Sequence, residues 1–165
     1  MNRYFAVNSS PLILLGRISR IDLLPALAEH VVVPQAVLQE LAVKHGRDWI
    51  ARTVSTHSGI EIAADLPIPV EVQKWNLGAG ESAVLAFCLA NKGYQAVLDD
   101  LRGRRCAKAL QVPLFGTLGV VVTARRQGLI PQARPLIAAI RGAGYHIEDK
   151  LIEAALNEVG ETWMG

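Results

Sequence analysis

Four polar positions hold the chemistry open to this sequence: Asn8, Glu40, Glu81 and the adjacent pair Asp99–Asp100. Asn8 and Asp99 each follow a short apolar run of the kind that forms a strand. Glu40 and Glu81 lie in helical patterns. Ligands of parallel sheets gather beyond the carboxyl ends of the strands, so residues far apart in sequence can converge there. Converging carboxylates repel one another unless a cation sits between them. An all-oxygen donor set suits Mg²⁺ or Mn²⁺. Such an ion activates water and neutralises charge on a phosphate. The competing assignment for the same residues is strand-end capping and solvated helix faces.

Arg102, Arg104, Arg105 and Lys108 form a cationic run directly after the acidic pair. Beside a metal pocket this run would hold a nucleic-acid backbone through its phosphates; otherwise it is a solvated helix face. Lys44, Arg47 and Arg52 make a looser second group. Thr117 offers either a hydroxyl to the pocket or an N-cap. Gly78 and Gly80 either admit a phosphate or give their turn backbone freedom. Ser9 reads as a cap rather than a nucleophile, because no nearby His would activate it. His30, His45, His57 and His146 lack metal-ligand spacing. Trp49 and Trp75 either stack a base or fill the core, and with aromatics at 5% a stacking platform has little support. A phosphoryl-accepting receiver domain would place its acids after the first strand and a Lys at the end of the fifth. Here the pair follows the fourth, and Phe115-Gly116-Thr117 ends the fifth.

These residues must be held by a fold, and the composition allows one. The chain has 165 residues, the length of a single domain. Apolar residues make up 51% and charged residues 19%, which excludes a disordered chain. Lys and Arg number 17 against 15 Asp and Glu, a net charge of +2, so any nucleic-acid argument rests on a local cluster. Two cysteines, Cys88 and Cys106, build neither a disulfide framework nor a four-ligand zinc site. The longest apolar run, Ala83 to Ala90, is far short of the roughly 20 residues of a membrane span. With no secretory cleavage pattern at the N-terminus, the expected location is the cytoplasm with both thiols reduced.

Strands are expected at Tyr4–Val7, Val31–Val33, Ile60–Ala63, Ala96–Leu98 and Val112–Phe115. Helices are expected from Asn8-Ser9-Ser10-Pro11, over Ile21–Ala28 with Pro25 as a break, and from Pro34. Further helices are expected over Glu81 to about Asn91, over Arg102–Leu110, and after Gly116-Thr117. Two terminal helices, Pro131–Ile140 and Glu148–Val159, should meet at the Gly142-Ala143-Gly144 turn. Pro67 and Pro69 mark a loop. Strands alternating with helices imply a parallel sheet covered on both faces.

The same motifs resemble a known family. Val7-Asn8-Ser9-Ser10-Pro11-Leu12-Ile13 resembles the opening motif of PIN-domain proteins. Val33-Pro34-x-x-Val37-x-x-Glu40-Leu41 and Gly78-x-Gly80-Glu81-Ser82-x-x-x-Ala86 resemble their second and third. Leu98-Asp99-Asp100 with Arg102, Arg104 and Arg105, followed by Gly116-Thr117-Leu118-Gly119, is similar to one bacterial and archaeal subfamily of predicted nucleic-acid-binding PIN proteins. The resemblance runs from about Tyr4 to Gly128. It implies a three-layer α/β/α sandwich on a parallel sheet of about five strands. The whole chain, 1–165, is then one domain, with 131–165 a helical extension.

It further implies a Mg²⁺- or Mn²⁺-dependent ribonuclease of single-stranded RNA, such as the toxins of toxin–antitoxin pairs. The catalytic carboxylates would be Glu40, Glu81, Asp99 and Asp100. The metal ligands would be Asn8, Glu40, Glu81 and Asp99, with Asp99 favoured over Asp100 as nearer the strand end. Ser9, Arg102, Arg104, Arg105 and Thr117 would contact RNA. A homodimer and an antitoxin protein are the implied partners, and no membrane is. The family's usual Asp is Asn at position 8, which removes one charge. The alternative is therefore an RNA-binding or regulatory module on the same fold, weakened or inactive as an enzyme.

Overall fold

The computed structural model describes residues 3–44 and 46–163; His45 lies outside the described residues. Five strands form one sheet: β1 (Tyr4–Val7), β2 (His30–Pro34), β3 (Glu61–Ala63), β4 (Tyr94–Val97) and β5 (Leu114–Phe115). Their order is β3-β2-β1-β4-β5, and every pairing is parallel. The fold is an α/β/α sandwich. Phe5, Ala6 and Val7 are consecutive, point to alternate faces and are all fully buried, so helices cover both sides of the central strand. That explains the unbroken apolar runs, which a half-wet sheet would interrupt with polar residues.

The strand order places the site. From β1 the chain builds outward through β2 to β3. It then crosses back to lay β4 on the free side of β1 and ends the sheet at β5. The direction of winding reverses between β1 and β4. A crevice opens at such a point because the flanking connections leave to opposite faces. The register pairs Val7 with Val97. The next residues, Asn8 and Leu98-Asp99-Asp100, therefore emerge side by side.

The helices supply the rest. Helix α1 (Ser9–Arg17) and α2 (Leu23–Leu27) link β1 to β2. Pro25 lies in the first turn of α2, where its missing N–H is no loss, so it does not break that helix. Helix α3 (Gln35–Val43) buries Val37 and Leu41 and carries Glu40. Helix α4 (Asp48–Thr56) was not expected from the sequence; it packs against α3 and buries Ile50, Ala51 and Val54. A short α5 (Val70–Gln73) follows Pro69 directly. Helix α6 (Ala79–Ala90) packs on β1, β2 and β4 and buries Cys88. It starts two residues before Glu81, so Gly80 is inside the helix rather than in a turn before it. Gly78 caps α6 at φ −64°, a conformation any residue adopts, so the turn needs no glycine freedom there.

Strand β4 ends at Val97 rather than Leu98, and α7 spans Leu101–Ala109. Helix α8 (Thr117–Arg126) packs on α2, and α9 (Arg134–Gly142) and α10 (Asp149–Asn157) pack on α8. The last two share the main core through Ile137, Ile140, Ile152 and Leu156. Among the described residues no helix is long and apolar enough to cross a membrane.

Candidate active site

Asn8 is the first residue past β1, and its backbone N–H donates to Val97 O at 3.0 Å, which ties the ends of β1 and β4 together. It occupies the N-cap position of α1, yet its side chain makes no capping hydrogen bond. Its amide is buried, at 6% exposure, and free for another task. Glu40 reaches the same place from the second turn of α3. A methyl group on Gly80 would overlap Glu40 Oε1 and come within 3.2 Å of Asn8 Oδ1. The two side chains therefore share the space that Gly80 leaves vacant.

Glu81, in the first turn of α6, uses a second vacancy. A methyl group on Gly103 of α7 would overlap its Oε2. Asp100 caps α7, accepting from Gly103 N–H at 3.1 Å. Burial first, then the charge of Asp100, a hydrogen bond with Asp100 and the charge of Glu40 together push the Glu81 carboxyl up to about 7, against the opposing charge of Arg102. Asn8, Glu40, Glu81 and Asp100 are thus one group. Glu40 Oε1 and Glu81 Oε2 are buried with no hydrogen-bond partner. A buried carboxylate oxygen without a partner is costly, and a bound cation is the partner that would satisfy two at once.

Asp99 goes elsewhere. Its Oδ1 accepts from Thr117 N–H at 2.9 Å and its Oδ2 from Thr117 Oγ1 at 2.7 Å, with Ser10 Oγ at 3.4 Å. It anchors the start of α8 to the end of β4. Thr117→Val keeps the backbone donor and removes the hydroxyl. A hydrogen bond to a charged group is worth about 1.5–3 kcal/mol, so urea unfolding should show a loss of that size. An unchanged midpoint would mean that the hydroxyl carries no stability.

The expected nucleic-acid contacts also divide. Arg102 and Arg105 line a cavity of about 710 Å³ together with Lys74, Trp75, Glu81 and Asp100. None of the ion pairs among the described residues uses Lys74, Arg102 or Arg105. Arg104 faces away from this cavity: its Nη1 donates to Leu98 O at 3.0 Å. Ser9 Oγ is buried beside Asn8 in sequence and has no partner. Arg52 of the second cationic group is paired with Asp48 at 2.7 Å. Lys74 and Gly103 were not expected from the sequence; Thr117 was expected to offer its hydroxyl to the pocket, and it donates that hydroxyl to Asp99. For Gly103 a signal existed, a glycine inside a helical pattern; for Lys74 none did.

Among the described residues no three His, Cys, Asp or Glu side chains are already closed around a metal-sized point. The donor chemistry nonetheless fits a hard divalent cation: one amide oxygen, three carboxylates, and two of their oxygens orphaned. A search of the curated proteins finds no match to this chain. A family model described as PIN domain, a nuclease fold that works on nucleic acid with divalent metals, matches residues 4–161, so the chain belongs to the PIN-domain family.

Proposed function

We propose that the protein is a divalent-metal-dependent endoribonuclease of single-stranded RNA. The observation that carries this reading is the pair of orphaned buried oxygens, Glu40 Oε1 and Glu81 Oε2, beside a cavity whose walls include Lys74, Arg102 and Arg105. Asn8, Glu40, Glu81 and Asp100 would hold Mg²⁺ or Mn²⁺. The bound ion supplies an activated water and charge neutralisation at the phosphate. Everything else is done by the chain. Arg102 and Arg105, three residues apart on one face of α7, hold the phosphates on either side of the cleaved bond. Lys74 holds the strand from across the cavity, and Trp75 offers a face to a base. Asp99, through Thr117, fixes the loop from which Asp100 projects.

Incubation with a mixed single-stranded RNA pool tests this. Cleavage with Mg²⁺ or Mn²⁺ and none with chelator is expected; intact RNA under both metals would overturn the proposal. Asn8 favours one rival, binding without hydrolysis, and that rival predicts RNA binding unaffected by chelator and no product. Replacing Arg102 and Arg105 by Ala should weaken binding about tenfold at low salt. The loss of two phosphate contacts should flatten the slope of log K against log salt by about 1.4. An unchanged slope would take both arginines out of the RNA path.

A further inference from the structure

Asp99 and Asp100 are consecutive, yet they line different cavities. Asp100 lies on the cavity described above; Asp99 lies on a second one, of about 490 Å³, between the start of α8 and the corner joining α9 to α10. Its walls include Arg104, Leu118, Tyr145, His146 and Ile147. We propose that this second cavity is a nucleobase pocket, which receives one base of the RNA strand whose phosphate lies at the Glu81–Asp100 side. The inference rests on the nuclease reading only for the identity of that strand.

The chemistry of the walls favours a base over the alternatives. Ile140 and Ile147 are buried and Leu118 is half-buried, so the cavity has an apolar side suited to a flat ring. Around it stand polar groups of both kinds. Arg104 is held by Leu98 O through one nitrogen and keeps other N–H donors. The Tyr145 hydroxyl is raised from the usual phenol value by burial and then by the charge of Asp99, so it stays protonated and can donate. His146 and Asp99 supply acceptors. A bare phosphate would meet the Asp99 carboxylate; a base carries no charge and presents donors and acceptors along one edge. Single-stranded RNA is read in this way, by splayed bases lying on rings or guanidinium planes with their edges hydrogen-bonded. The volume lies within the usual range for small-ligand sites and exceeds that of one base.

The pocket is also preorganised. Gly116 leaves room for Arg104: a methyl group there would lie 3.0 Å from Arg104 Nη1 and 3.4 Å from Asp99 Oδ1. The corner bearing Tyr145 and His146 is tied down on both flanks. Arg17 donates to Ala143 O at 3.1 Å, and Asp149 accepts from Arg141 and from Trp163 Nε1. Consecutive Cα atoms are about 3.8 Å apart, so the two cavities adjoin at the Asp99–Asp100 step.

The test uses AMP, GMP, CMP and UMP, each titrated with chelator present and followed by amide chemical shifts. Binding of at least one of them, with shifts at Leu118, Tyr145 and His146, is expected. Tyr145→Ala should weaken it at least tenfold. Leu151→Trp, a filling change at an exposed position on the cavity rim, should weaken it similarly without touching the hydrogen-bonding groups. No binding by any of the four, shifts confined to the Lys74–Arg102 side, or equal affinity in wild type and both variants would overturn the proposal. Because the titration needs neither metal nor turnover, a failure of the nuclease reading leaves its outcome interpretable. Where cleavage is present, Tyr145→Ala should flatten the base preference beside the cut.

Discussion

Glu81→Gln should abolish the proposed metal-dependent cleavage and at the same time stabilise the metal-free protein. The two effects share one cause. In the folded chain the carboxyl of Glu81 is pushed up to about 7, from an ordinary value of 4.5, by burial, by Asp100 and by Glu40. The folded state therefore holds that proton more tightly than the unfolded state does. Folding bears no penalty from Glu81 below about pH 4.5. Stability is lost progressively as the pH rises through about 7, and above that the penalty is full. Glu81 is only half-buried, so solvent screening cuts the penalty to on the order of 1–2 kcal/mol, below the roughly 3.4 kcal/mol that the full shift would carry in a dry group at about 1.4 kcal/mol per pH unit.

Gln is neutral throughout, so the variant removes the slope. At pH 8 without metal its melting temperature should stand above wild type by a few degrees, at about 2–4 °C per kcal/mol for a chain of this size. Cleavage should fall at least about 100-fold, because a ligand of the charged cluster costs more than the 10–100-fold typical of the groups that merely orient ligands. Thermal melts at pH 5 and pH 8 with chelator, alongside RNA cleavage with Mn²⁺, measure both. Retained cleavage together with an unchanged pH slope would show that Glu81 is a surface carboxylate and no part of the site.

Asn8→Asp should show the opposite pair of signs. Asn8 Oδ1 shares with Glu40 the space above Gly80, so a carboxylate there adds a fourth negative charge to the group. Two unit charges about 4 Å apart interact by about 4 kcal/mol at the dielectric typical of protein surfaces. An Asp at the start of α1 gains only about 0.3–1 kcal/mol from the helix dipole. Repulsion wins, and the metal-free melting temperature falls. With a divalent cation present the same charge becomes an attraction. Apparent affinity for Mg²⁺ should rise by an order of magnitude or more, and cleavage at low metal should rise with it. The signature is a crossing: the variant melts below wild type with chelator and above it at millimolar Mg²⁺. A variant that melts below wild type under both conditions would place position 8 outside the metal's reach.

Much of the frame was legible before any coordinates, and for physical reasons. Val31–Val33 and Phe5–Val7 are too continuously apolar for anything but strands covered on both faces. That fact alone put Asn8 and the acidic pair at one edge. What was not legible turns on offsets of one or two residues. Strand β4 ends at Val97 and Asp100 caps α7, and this one-residue difference sends Asp99 to Thr117 and Asp100 to Glu81. Gly80 reads as a turn residue by type, but it is inside α6 because a carboxylate from α3 needs its missing side chain. Arg104 stands beside Arg102 and Arg105 in the sequence, which by itself suggests one shared role. Helical spacing separates them, since positions two apart lie on opposite sides of a helix. Helix α4 had a readable apolar pattern in Ile50, Ala51 and Val54, hidden by the polar residues around it.

The strand order has a consequence for how the protein is made. Asn8 and Glu40 come from the half of the chain that builds outward from β1, and Glu81 and Asp100 from the half that returns. Synthesis runs from the first half to the second. A nascent chain on the ribosome therefore holds two of the four donors until the crossing to β4 has been translated. Its oppositely charged clamp on α7 comes later still. The four donors are therefore complete only once α7 begins, while β5 and α8 to α10, which close the rest of the core, are still to be made.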